Sequence, residues 1–427
     1  MPNQDITINF SLVPGRPGDP LERVAFWDAP STVQWFRERG YTLYERQPYE
    51  VEDQVSFATF PSVTPEEGSP AEYPYAHYDL DSKTPLRTYV ERGKVVFAQD
   101  SLNRHVAIKV VKANTEELAI LHFLKRQDQN ILKENCIIPV LEILSIEGFS
   151  FVVMPRWGGS VEFPWPERLR EVLIIMLSKL KALSFLHEHN ITHRDINDSN
   201  FLVNHIGDEC DIRYNKARVD LRSRDCLSYA IFDFDHSIKL PPSVNRTHFR
   251  LPYHRSWGTI NVIPDTRQGE YDFNPFVFDV GALGVAFCRT YQYLTPHIPM
   301  FAPFLDRLTT RNLAFRFTAS EALVFLREML SQLSAADLDR EIGPDDLKIY
   351  IPYDKYNRWE HVTPEFARKW AHYKEPPTPW TTTLLRRVCG TCWGCHTVPW
   401  IRRSSSRSSS FLRHKLRRAG VSKLTNL

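Results

Sequence analysis

The spacing of apolar and polar positions changes character along this chain. From about residue 85, short β-rich runs dominate. KVVFAQD and HVAIKVV, separated by SLNR, predict a hairpin, and IIPVLEIL and FSFVVMP predict two further strands. ELAILHFL, set between these pairs, has helical spacing. Residues 168–189 carry a long helical pattern, and FLVN and YAIFDF then read as two short strands. After residue 270 the period is helical, in FVFDVGALGVAF and RFTASEALVFLREML. A strand-rich half followed by a helix-rich half predicts an α+β, two-lobed fold spanning residues 85–330.

The flanks differ in texture. Residues 1–84 are Pro-rich and irregular, with one helix expected from Ser31 or Thr32 that carries Val33, Trp35 and Phe36. Tyr41, Tyr44, Tyr73, Tyr75 and Tyr78 make this extension too aromatic for a wholly disordered segment, so it is expected to dock on the folded body. Residues 331–380 form a second aromatic-bearing extension, and residues 381–427 read as a disordered Ser/Arg-rich tail. The 30 prolines against 17 glycines point to stiffened loops rather than flexible linkers.

The net charge of +2 conceals a split. Residues 386–427 hold ten Lys or Arg and no acid, leaving 43 basic against 51 acidic residues upstream. The body is mildly acidic, and the tail has the charge to contact nucleic acid, an import receptor or an anionic membrane. Seven cysteines, four of them scattered singly, do not form a disulfide framework. MPNQDITINF lacks the basic start and apolar core of a signal peptide, and no apolar run has the length of a membrane span. These features predict a soluble, reducing-compartment protein, cytoplasmic or alternatively nuclear. Cys389, Cys392 and Cys395, with His396 adjacent, leave zinc binding, S-acylation and unligated thiols open.

The chemistry is concentrated in HRDINDSN and FDFD. Asp195 can accept a proton from an attacking hydroxyl, while Asn200, five residues on, and Asp233 offer oxygens suited to Mg²⁺. Lys109, at the end of VAIK, is a cation for nucleotide phosphates. Phosphoryl transfer from a nucleotide needs this set.

VAIK, HRDINDSN, FDFD, DVGALG and RFTASEAL occur in that order, and together they resemble the eukaryotic protein kinase family. The Pro-rich extension and DFD in place of DFG also resemble fungal protein-kinase-like proteins of the mushroom-forming group. The resemblance implies a catalytic set of Lys109, Asp195, Asn200 and Asp233, with Asn200 and Asp233 as the Mg²⁺ ligands. It implies ATP contacts from Lys109, Glu117, Gly93, Val95, Ala107, the gatekeeper Met154 and the hinge residue Trp157. Glu117 would pair with Lys109, although Asn114–Glu117 also reads as a capping box. His193 would be structural, and Arg194 would pair with a phosphorylated activation loop. Asp279 and Gly284 would pin the catalytic loop, and Asp265 would form an ion pair with Arg316. Gly258-Thr259 would form part of a protein-substrate platform favouring Ser or Thr.

Three features depart from the family's pattern. Asn197 stands where Ser/Thr members have a lysine. Alignment on Val95 leaves only Gly93 of the Gly-rich loop, with Thr88 and Val90 at the other glycines. Asp235 replaces the DFG glycine. The segment between Asn204 and Ser228 is long and charged, and is expected to form a solvated hairpin. The sequence reading is therefore a Mg-ATP-dependent protein Ser/Thr kinase, with a pseudokinase scaffold and a small-molecule phosphotransferase as rivals.

Overall fold

The computed structural model describes residues 6–12, 19–46, 55–60, 72–78, 86–89, 93–207, 209–256, 263–343, 351–391 and 393–404. The chain forms two compact units. One comprises Met1–His193, Asp198–Leu240 and Leu323–Lys348; the other comprises Arg194–Asn197, Pro241–Ala322 and Ile349–Leu427. The fold is α+β and follows the strand-rich-then-helical order expected of a kinase-like fold.

The first unit opens with α1 (Asp19–Asp28) and α2 (Pro30–Arg37), followed by β1 (Thr42–Leu43), β2 (Glu45–Arg46), β3 (Val55–Phe57), β4 (His77–Tyr78) and β5 (Arg87–Tyr89). Then come β6 (Val95–Gln99), β7 (His105–Lys112), α3 (Glu116–Lys125), α4 (Gln129–Glu134), β8 (Glu142–Ile146) and β9 (Phe149–Pro155). Five strands make an antiparallel sheet in the order β1-β6-β7-β9-β8. Strand side chains alternate between faces, and Val96, Ala98, Val106, Ile108, Val110, Phe151 and Val153 fall on one of them. That face is buried under Trp27, Trp35 and Phe36 of the two helices, with Ile6, Ile8 and Phe10. The N-terminal extension therefore shares the core of the sheet. The helix expected to carry Val33, Trp35 and Phe36 is α2, whose first residue is Pro30, a favoured first helical position.

Helix α5 (Leu169–Glu188) leads through β10 (Ile191–Thr192) to β11 (Phe201–Val203) and β12 (His205–Ile206). After these, α6 (Lys216–Ser223) precedes β13 (Tyr229–Ile231) and β14 (Ile238–Lys239). The Asn204–Ser228 segment corrects the hairpin expectation: it holds a 3₁₀ turn, Glu209–Tyr214, and helix α6. The reason is buried charge. Arg218 donates to the carbonyls of Gly159 (3.1 Å), Phe163 (3.0 Å) and His205 (3.1 Å), and Arg222 donates to those of Val161 (3.2 Å) and Pro164. Burial and the neighbouring Arg222 push the Arg218 guanidinium down to about 9. The arginines thus act as a clamp on the chain leaving β9.

In the second unit, β15 (Leu251–Pro252) pairs with β16 (Asp272–Phe273), and α7 (Pro275–Tyr291) packs on α8 (Phe301–Thr309). Gly284 sits where a Cβ would lie 2.6 Å from the Leu308 side chain, so it sets the close approach of those helices. Of α9 (Ala319–Ser331), the residues from Leu323 on belong to the first unit, as does α10 (Ala335–Leu338); α11 (Pro364–Lys369), α12 (Trp380–Cys389) and the helical residues 394–404 belong to the second. The disorder expected from residue 381 onward is thus corrected as far as residue 404. Cys389 is buried, Val398 packs on Gly269, and Arg386 bonds Gln268 (3.0 Å) and Asp354 (3.0 Å), so apolar contact and hydrogen bonds order this stretch. The Ser/Arg-rich run from Ser405 onward, and Cys392, lie outside the described residues.

Candidate active site

The sheet's second face carries Lys109. Val95, Phe97, His105, Ala107, Lys109, Val152 and Met154 alternate with the core residues, and register sets Lys109 opposite Val95 and Val152, and Ala107 opposite Phe97 and Met154. Lys109 Nζ lies 2.5 Å from Glu117 Oε1 and 2.6 Å from Asp233 Oδ1. Thr115 caps α3, its hydroxyl accepting from Leu118 N at 3.3 Å, so the capping box expected from Asn114 to Glu117 does not form. Glu117 instead stands one position inside the helix start with its carboxylate on the lysine.

This triad sets its own charges. Burial opposes the Lys109 ammonium, yet Asp233 and Glu117 outweigh it and hold the lysine above its ordinary value. Burial also acts against Asp233, and Lys109 overcomes it, so the Asp233 carboxyl stays below the usual range. For Glu117 burial prevails and raises the carboxyl despite the lysine.

Asp233 holds φ at +63°, a left-handed conformation uncommon outside Gly, Asn and Asp and often found at functional sites. It follows β13, whose pairing with β11 sets Ile231 beside Phe201. Phe232 N then donates to Asn200 O at 3.1 Å, which seats the carboxamide residue beside the segment that leads from β13 to Asp233. His193, buried in the same unit, shares a hydrogen bond with Phe232 O at 2.9 Å.

The donor set fits a Mg²⁺-nucleotide in its chemistry. One carboxamide, the Asp233 carboxylate and Asp235 two residues on are hard oxygen donors, and Mg²⁺ ordinarily takes few protein ligands and completes its shell from phosphates and water. Among the described residues no group of three or more His, Cys, Asp or Glu is placed to hold a metal on protein ligands alone.

Arg194–Asn197 belong to the second unit. There Asp279, fully buried on α7, accepts the Arg194 N–H at 2.7 Å, and Arg194 itself holds φ at +67°. The half-buried Asp195 follows directly, with Asn197 Nδ2 donating to its carbonyl at 3.1 Å. Arg316 forms a two-point ion pair with Asp265 at 2.5 and 3.1 Å. Gly281 gives it room, since a Cβ there would strike the guanidinium. Gly258, Thr259 and Val90 lie outside the described residues.

Two residues expected at the nucleotide have partners within the protein. Gly93 is turned toward α1: its carbonyl accepts from Trp27 Nε1 at 2.8 Å, and a Cβ would meet Arg23 at 2.8 Å. Trp157 is buried with its Nε1 on Pro74 O at 2.7 Å. The Gly-loop alignment is also corrected. Thr88 lies on β5, in a separate sheet ordered β2-β3-β5, and the strand beside β6 is β1, some fifty residues upstream. Periodicity cannot reveal this, because a two-residue strand such as Thr42-Leu43 leaves almost no pattern.

Sequence reading also missed a cluster on the Lys109 face. Tyr44 shares a 2.5 Å hydrogen bond with His105 Nδ1 and accepts from Arg156 Nη1 at 2.8 Å. Arg156 lies 4.2 Å over the Phe97 ring, and Tyr78 stacks on His105 at 5.8 Å. Burial, with Arg156 adding to it, pushes the His105 imidazole down to about 3, so the ring is neutral.

No protein-family model matches the chain. The serine/threonine-protein kinase US3 homolog of Cercopithecine herpesvirus 9 (strain DHV) is 33% identical over 78 residues, 17% of this chain and 23% of that protein. The US3 homolog of Varicella-zoster virus (strain Dumas) is 48% identical over 40 residues, 9% of this chain and 10% of that protein. The matched segments thus span less than a quarter of either relative. The autoinhibited serine kinase domain of the giant muscle protein titin aligns with a TM-score of 0.39 and 19% identity, covering 66% of this chain and 83% of that one. Among the described residues no helix is long and apolar enough to cross a membrane. The similarity to serine/threonine kinases supports a protein-kinase-like domain in this chain.

Proposed function

We propose that the protein is a Mg-ATP-dependent protein kinase acting on Ser or Thr of protein substrates. The observation that carries this reading is Lys109 held between Glu117 and Asp233, at 2.5 and 2.6 Å. A cation fixed this way is positioned for phosphates before they arrive, and phosphoryl transfer depends chiefly on positioning and electrostatic stabilisation. In this reading Asn200 and Asp233 hold Mg²⁺, and Lys109 holds the nucleotide's phosphates. Asp195 orients the substrate hydroxyl and takes its proton; the Asp279–Arg194 bond fixes the backbone that carries it. Mg-ATP, when bound, supplies the phosphoryl group.

A scaffold without turnover is the second reading. It rests on Tyr44, Phe97 and Arg156, which lie on the sheet face of Ala107 and Met154 where the resemblance puts the adenine. Purified protein given labelled ATP, Mg²⁺ and generic protein substrates, with thermal unfolding followed in parallel, separates the two. Label on the substrate together with ATP-induced stabilisation supports the kinase. Stabilisation without transfer, or neither signal, overturns it in favour of the scaffold.

A further inference from the structure

The strongest unexplained surface is at the C-terminal end of the second unit. Trp380, Leu384, Trp393, Trp400 and Ile401 are between 52% and 75% exposed, five large apolar side chains within 22 residues. Trp380 and Leu384 are one helical turn apart on α12. In the helix of residues 394–404, Trp400 and Ile401 follow Trp393 by seven and eight positions, with Thr397 and Ser404 completing the stripe. Positions at this spacing share one face. The other face is already engaged: Cys389 is buried, Val398 packs on Gly269, His396 bonds Tyr253 at 3.3 Å and Arg402 meets Glu270 at 3.5 Å. The apolar stripe is thus held outward by a docked helix.

Its charge setting is one-sided. Arg387 and Arg403 are exposed beside it, and residues 405–427 add six Lys or Arg without an acid. Tryptophan is enriched at the boundary between headgroups and hydrocarbon, basic side chains are drawn to anionic lipid, and the two signals together give stable attachment where one does not. Leu384 and Ile401 favour a bilayer over nucleic acid, since an aliphatic side chain neither stacks well on a base nor pairs with a phosphate.

We propose that Trp380, Leu384, Trp393, Trp400 and Ile401, flanked by Arg387 and Arg403, form a docking surface for an anionic lipid bilayer. The surface is independent of the phosphotransfer reading and would hold the protein at a membrane whether or not it turns over ATP.

The test is co-sedimentation of the full chain with phosphatidylcholine vesicles, with and without phosphatidylserine. The serine lipid is expected to strengthen binding roughly tenfold or more. Trp393→Ala/Trp400→Ala, whose side chains are exposed, should retain the wild-type unfolding midpoint and weaken binding roughly tenfold. Brominated lipid should quench part of the tryptophan emission of the unaltered protein, a readout that needs no variant. Equal binding to both vesicle types, or no bromine quenching, would overturn the proposal. So would a double variant that folds and binds like wild type, or duplex nucleic acid bound more tightly than anionic vesicles.

Discussion

Removing Arg316 isolates the energetic worth of one buried ion pair. Its side chain is 1% exposed and that of Asp265 is 10% exposed, so solvent screens the pair little. Arg316→Met deletes both ion-pair contacts and the 2.7 Å bond to Thr310 O, leaving the Asp265 carboxylate without its cation. Breaking such a pair from one side costs about 3–5 kcal/mol. For a body of this size that corresponds to roughly 6–20 °C in unfolding midpoint. Removing the stranded charge as well, in Asp265→Leu/Arg316→Met, should recover a large part of the loss, because a well-packed apolar pair is often as stable as a buried ion pair. The assay is thermal and urea unfolding of the full chain. A loss below about 1 kcal/mol for Arg316→Met, the range of exposed pairs, would refute the reasoning, as would a double variant no more stable than the single one.

Further expectations concern other buried groups. Arg218→Met strands the carbonyls of Gly159, Phe163 and His205 and should cost about 3 kcal/mol or more in urea unfolding. His105 and His205 are both pushed down to about 3 by burial, so the unfolded chain takes up their protons first. Their stabilisation is full above about pH 6.5 and declines as pH falls toward 3, by about 2 kcal/mol per histidine between pH 7 and 5; His205→Gln should flatten that dependence. Tyr44→Ala/Phe97→Ala thins the cluster facing Ala107, and ATP-induced stabilisation should increase; no increase would show that the cluster does not limit access. Lys109→Met leaves two buried carboxylates facing each other and should abolish ATP-induced stabilisation without unfolding the chain.

The strands and helices of the body were legible because their patterns are long. HVAIKVV shows both faces of a strand in seven residues, and Lys109 and Glu117 meet Asp233 although it lies 124 residues beyond the lysine. Asp265 and Arg316 were likewise legible from their motifs. What escaped the pattern was set by tertiary contact. Thr42-Leu43 becomes a sheet strand only because β6 offers an open edge, and α6 is held by arginines that resemble a solvated charge run until their carbonyl partners are known. Helical order past Trp380 depends on Cys389 and Val398 finding cover, which the Ser/Arg-rich run following Arg403 conceals.

The initial rate of labelled γ-phosphate transfer to a protein substrate, compared between wild type and Asp195→Asn at saturating Mg-ATP, tests the central proposal most directly. Loss of the proton acceptor should lower the rate by roughly 10²–10⁴-fold while leaving ATP-induced stabilisation intact, because Lys109, Asn200 and Asp233 are unchanged. Equal rates in the two proteins, or no transfer by either, would contradict it.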